Sequence, residues 1–140
     1  SQVIVSPETQ LVYLAETLDS SNSCSPYHQI PAQEENEIID YLNAMYDEYK
    51  AIGFDEIYFS PIPEKIRIYP IDSTLPFNHF YTILQNPRLK MSLINCTDTL
   101  KNSSEKVFMT CDTHWNTNGI NVWLKMVDDI LKTNKMHIKK

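Results

Sequence analysis

Between Gln33 and Phe59 the chain passes from a helical to an extended apolar pattern across one glycine, the rhythm of an α/β domain. Ile38, Leu42, Met45, Tyr49 and Ile52 recur at three- and four-residue spacing, which predicts a helix from about Gln33 to Ile52 with one apolar stripe. Acidic residues load its first turn and suit the positive end of the helix dipole. Gly53 follows as a natural C-cap. Ile57-Tyr58-Phe59 then reads as a short core strand ended by Pro61 and Pro63.

The rest of the chain fits around that unit. Val3–Val5 and Leu11–Leu14 predict a hairpin turning through Ser6-Pro7-Glu8-Thr9. Serines and prolines make residues 19–32 a loop. Glu64–Tyr69 suggests one or two helical turns, and Pro76–Leu84 a short helix stopped by Asn86-Pro87. Met91–Asn95 reads as a second core strand, Asp98–Asn102 as a turn or short helix, and Val107–Thr110 as a third strand. Cys111–Asn116 is then a loop at that strand's end. Asn116 or Thr117 caps a final helix through Lys132, with Ile120, Trp123, Leu124, Val127, Ile130 and Leu131 expected inward. The expected fold is a single α/β domain over residues 1–140, with a small, mainly parallel sheet flanked by helices and an N-terminal β-hairpin.

Several function classes drop out. The net charge is −6, and the only basic cluster is Lys132, Lys135, Lys139 and Lys140, so nucleic acid is not an expected partner. With Gly53 and Gly119 as the only glycines, a Gly-rich phosphate loop is absent. No apolar run reaches the roughly 18 residues of a membrane span, and the start at Ser1-Gln2-Val3 carries no signal peptide and reads as mature or trimmed. Cys24, Cys96 and Cys111 define no disulfide framework; Cys96 and Cys111 either pair, if their segments are adjacent, or remain free thiols. His28, His79 and His137 have no neighbours at metal-ligand spacing, so neither metal nor cofactor is expected.

Chemistry concentrates at Asp112 and His114. In an extended segment, residues two apart point to the same side. The carboxylate can then hold His114 Nδ1 and leave Nε2 as a general base. Open α/β sheets bind ligands outside the carboxyl ends of their strands, where this loop is expected. The competing structural reading is a loop histidine merely held by a carboxylate. Trp115 either lines the site or is a core aromatic, and Lys65 is either solvated or binds an anionic group.

Asp112-Thr113-His114-Trp115-Asn116, followed by Gly119 and an amphipathic helix, resembles the Asp-x-His-Trp segment of the SGNH-hydrolase-like alginate O-acetylation family. The stretch from Gly53 through Pro61-Ile62-Pro63-Glu64-Lys65 to Ile68-Tyr69-Pro70 is similar to that family's strand and "Pro-x-Pro-x-Lys…Tyr-Pro" region. The hairpin from Val3 to Leu14 resembles its opening hairpin without the usual glycine. The resemblance covers about Val3 to Leu131 and implies an incomplete SGNH-like (flavodoxin-like) domain. It also implies Asp112 and His114 as two members of a Ser-His-Asp triad, with Trp115, Asn116 and Lys65 in binding roles. The implied function is O-acetylation or deacetylation of an envelope polysaccharide, outside the cytoplasm. The implied partners are a polysaccharide or acyl donor and an envelope protein.

One departure from the family pattern bears on activity. The family's nucleophile lies in a Gly-x-Ser segment downstream of Asp-x-His, and no serine follows His114 here. Ser60 ends the Ile57–Phe59 strand, but no glycine gives it a tight turn; Ser103 and Ser104 read as surface loop. Two alternatives therefore accompany the acyl-transfer expectation: a non-catalytic relative that binds glycan or protein, and a nucleophile encoded beyond Lys140.

Overall fold

In the computed structural model, the backbone is described for residues 2–138 and the side chains for residues 2–134. The tail residues Lys135, His137, Lys139 and Lys140 named above lie outside the described side chains. The chain is a mixed α/β domain. Strand β1 (Val3–Val5) pairs antiparallel with β2 (Val12–Leu14), with Val3 opposite Leu14 and Val5 opposite Val12. Helix α1 (Ala32–Ile52) follows the loop. Gly53 closes it with φ 109°, a left-handed conformation that glycine adopts without steric cost. Its N–H donates to the Lys50 carbonyl at 3.1 Å, and Phe54 N–H to the Tyr49 carbonyl at 3.2 Å, the paired bonds of a Schellman motif.

Beyond α1, β3 (Tyr58–Phe59) and β4 (Ser92–Leu93) form a parallel pair in a separate sheet. Between them lie α2 (Lys65–Ile68) and α3 (Phe80–Ile83); α4 (Thr97–Lys101) and α5 (Thr117–Ile138) complete the order.

Three expectations are corrected. Val107–Thr110 is not a third strand of the parallel sheet. It folds back antiparallel on the approach to α5: Phe108 bridges Trp115, Met109 N–H donates to the His114 carbonyl at 3.0 Å, and Asn116 N–H to the Val107 carbonyl at 3.0 Å. The backbone groups of this run pair within the hairpin and, at the Thr110 carbonyl, with the Val12 N–H of β2 at 2.9 Å, so the described residues form two two-stranded sheets instead of one mainly parallel sheet. On α1, Ile39 and Leu42 are the buried pair, whereas Tyr49 and Ile52 are exposed because the last turns run beyond the core. On α5, Val122, Trp123 and Met126 pack inward while Ile120, Leu124 and Leu131 are exposed, so the inward face is rotated from the expected one.

Two apolar clusters meet at α2. Ile68, Cys96, Leu100, Val107 and Phe108 form one, and Leu11, Tyr13, Tyr27 and Ile66 the other. Tyr69 packs against both. Its carbonyl accepts the Tyr13 hydroxyl at 2.7 Å, and its own hydroxyl accepts the Val107 N–H at 3.1 Å. No described helix is long and apolar enough to cross a membrane.

Candidate functional site

The Asp112–His114 segment is the tip of the tight hairpin that replaces the expected strand. Asp112 Oδ1 accepts the His114 backbone N–H at 2.9 Å and also the ring N–H at Nδ1. An ionised carboxylate only accepts, so Nδ1 carries a proton, and in the neutral ring this leaves the lone pair on Nε2. The His114 side chain is 80% exposed, and Nε2 has no partner among the described residues. Asp112 is held below the usual carboxylate range, first by the His114 backbone N–H and next by its side chain. The two side chains thus meet through a bend closed on the backbone, not through extended alternation.

Two small cavities flank this tip. One, of about 240 Å³, is walled by Ile62, Phe108, Thr113, His114, Trp115 and Ile120. The other, also about 240 Å³, shares Ile62 and Thr113 with the first and reaches Tyr13, Cys24 and Lys65. His114 therefore stands on the rim of an apolar groove.

The other site candidates are placed differently. Lys65 is neither solvated nor free for an anion. It is only 4% exposed, and Nζ donates to the carbonyls of Val12 (3.0 Å), Met109 (2.6 Å), Thr110 (2.8 Å) and Asp112 (3.0 Å). Burial lowers its pKa, while the nearby Cys111 and Asp112 act in the opposite direction. An ammonium has three protons, and all are taken up by protein. Asn116 is likewise occupied as the cap of α5. Its Oδ1 accepts the Gly119 N–H at 3.0 Å, and its Nδ2 donates to the Lys106 carbonyl at 2.7 Å. Trp115 does both jobs proposed for an aromatic here: it walls the groove, and it packs on the core with its ring 6.3 Å from that of Trp123. Its indole N–H is buried without a partner among the described residues.

Ser60, the serine at the end of β3, is not activated. Ser60 Oγ donates to the Ile94 carbonyl at 3.1 Å and accepts the Trp123 indole N–H at 2.9 Å. A carbonyl cannot take its proton, so Ser60 lacks the adjacent base that nucleophilic catalysis needs. Cys24, Cys96 and Cys111 are free thiols, and Cys96 is fully buried. His79 pairs with Glu35, and His28 Nδ1 contacts the Ser20 carbonyl. Among the described residues no group of three or more His, Cys, Asp or Glu side chains is placed to hold a metal.

Sequence reasoning missed the burial of Lys65. The signal was its place between Pro63 and the apolar residues Ile66 and Ile68, where a solvated lysine is hard to accommodate. Compared with known protein families, with curated proteins and with solved structures, the chain matches none.

Proposed function

We propose that this chain is an SGNH-like α/β domain acting in O-acetylation or deacetylation of an envelope polysaccharide, outside the cytoplasm. Asp112 orients the imidazole, His114 Nε2 is the general base, and the serine comes from outside the described residues. The observation that carries this reading is the exposed imidazole, held at Nδ1 by Asp112 and unpartnered at Nε2, on the rim of a groove. The apolar lining of Ile62, Trp115 and Ile120 suits an acyl methyl or a sugar face. The test is release of acetate from an O-acetylated polysaccharide by the protein as encoded, including any sequence after Lys140. His114→Ala is expected to lower kcat by about three to four orders of magnitude. Release that is absent in wild type, or indifferent to His114→Ala, rejects the proposal.

A second reading is a non-catalytic relative that binds glycan or a protein through the same groove. The occupied hydroxyl of Ser60 favours it. On either reading these 140 residues alone do not turn over p-nitrophenyl acetate above background. Turnover abolished by Ser60→Ala would instead make Ser60 the nucleophile.

A further inference from the structure

We infer that Lys65 is the positioning residue of the Asp112–His114 pair: its buried ammonium, cradled by four backbone carbonyls, sets the shape of the loop that presents the imidazole. The catalytic consequence rests on the acyl-transfer reading, whereas the positioning stands on geometry alone.

Residues Met109 to His114 are all exposed, so no apolar anchor within the segment defines its course. Beneath it lies Lys65, whose Nζ reaches the carbonyls of Met109, Thr110 and Asp112 and, across the gap, that of Val12 in β2. Three of these four acceptors belong to the residues that lead into His114. The Tyr13 ring, 5.4 Å from Nζ to its centroid, adds a cation–π contact to the cage. The geometry at Asp112 gives the arrangement its consequence. Its carbonyl is drawn inward onto Nζ, while its carboxylate holds the His114 N–H and Nδ1 on the exposed side. A peptide carbonyl fixed on one side limits where the same residue's side chain can go. The Thr110 carbonyl also accepts the Val12 N–H at 2.9 Å and keeps that partner without the ammonium; the Met109 and Asp112 carbonyls, which flank it on the way to His114, lose theirs and turn to water.

The test is NMR on labelled protein. In wild type, a downfield His114 Nδ1–H resonance should be present and should vanish in Asp112→Ala. Lys65→Met, which keeps the apolar stem and removes the donors, is expected to abolish that resonance and leave the ring in a mixture of tautomers, with α1 amide shifts unchanged. Persistence of the resonance and of a single tautomer in folded Lys65→Met overturns the inference. If Lys65→Met does not fold, wild type decides. A slowly exchanging Lys65 ammonium signal with hydrogen-bond couplings to the Met109, Thr110 and Asp112 carbonyl carbons supports the cradle, and its absence rejects it. In the protein as encoded, Lys65→Gln should lower kcat by about 10²-fold with KM little changed, the scale of a catalytic group misplaced by about 1 Å. An NMR effect without any wild-type acetate release defeats the acyl-transfer reading and leaves the positioning intact. Acetate release that needs His114 but is unchanged in Lys65→Gln defeats the positioning alone.

Discussion

Gly119→Ala tests whether the close seating of α5 holds the site hairpin together. Glycine in a helix is disfavoured relative to alanine by about 1 kcal/mol, so propensity alone predicts stabilisation. The structure argues for the opposite sign. A Cβ at Gly119 would lie 2.2 Å from the Val107 carbonyl oxygen and 3.0 Å from Trp115 Cβ. Carbon and carbonyl oxygen ordinarily approach no closer than roughly 3.3 Å, so backbone must move by about 1 Å. Val107 is fully buried, and its carbonyl accepts the Asn116 N–H at 3.0 Å, so the movement strains that bond as well. Overpacking of this kind costs about 1–3 kcal/mol, and a weakened hydrogen bond about 1 kcal/mol more. Set against the propensity gain, the net expectation is a loss of about 1–3 kcal/mol. Urea unfolding should show a lower midpoint at unchanged slope. An equal or higher midpoint would mean that α5 is not seated on Val107 as described, and the account of the hairpin would fall with it.

Leu42→Ala, at a position only 6% exposed on α1, should lower stability by about 2–5 kcal/mol in the same assay; a loss well below 1 kcal/mol would mean the face is open. Asn116→Ala should cost about 1–2 kcal/mol through loss of the α5 cap, and Asn116→Asp should recover part of it by keeping the acceptor for Gly119. Because the folded-state pKa of Asp112 is depressed, its stabilising effect is present above the ordinary carboxylate value of about 3.9 and is lost as pH falls through the lower folded value. A ¹³C carboxyl titration should show the depressed midpoint. His114→Ala should return it only part of the way, since the larger cause is the backbone N–H, which the substitution keeps; a full return, or no change, would contradict the ranking of causes.

What was legible in the sequence was local. Periodicity placed α1 and α5, Gly53 closed α1 as expected, and the hairpin Val3–Leu14 follows from its turn residues. The third strand failed because a short apolar run such as Val107–Thr110 does not say which edge it pairs with, and here it pairs with the segment just after it. The same hairpin explains why Asp112 and His114 meet although the extended-chain reason offered for it does not apply. Least legible was α2. The helical turn expected over Glu64–Tyr69 is present, but its burial was not foreseen: Lys65, read as solvated or anion-binding, is buried together with Ile66, Arg67 and Ile68. Arg67 pairs with Glu64 and has Phe77 and Tyr81 each 4.8 Å away, so the partners that make its burial tolerable come from a segment about ten residues on. Burial of two cations in a chain of net charge −6 depends on carbonyls and rings that only the tertiary fold assembles.

The residues that carry the family resemblance can be sorted by whether the fold itself needs them. Gly119 lets α5 approach the Val107 carbonyl, Asn116 caps the helix, Trp115 covers the core beside Trp123, and Lys65 anchors the loop from below. Asp112 closes the bend on the His114 backbone N–H, a bond that any residue with an N–H at position 114 would supply. His114 is the exception: its ring is exposed, its sole partner among the described residues is an exposed carboxylate, and such a pair contributes little to stability. The contacts described for the fold therefore account for the frame of the segment and not for the imidazole it presents. On the proposed acyl-transfer reading the ring serves as a base at Nε2; on the structural reading it has no role. Stability that is indifferent to His114→Ala, together with acetate release that depends on it, is the combination the acyl-transfer reading requires. Stability that depends on the imidazole would return His114 to the frame and leave the groove as a binding surface.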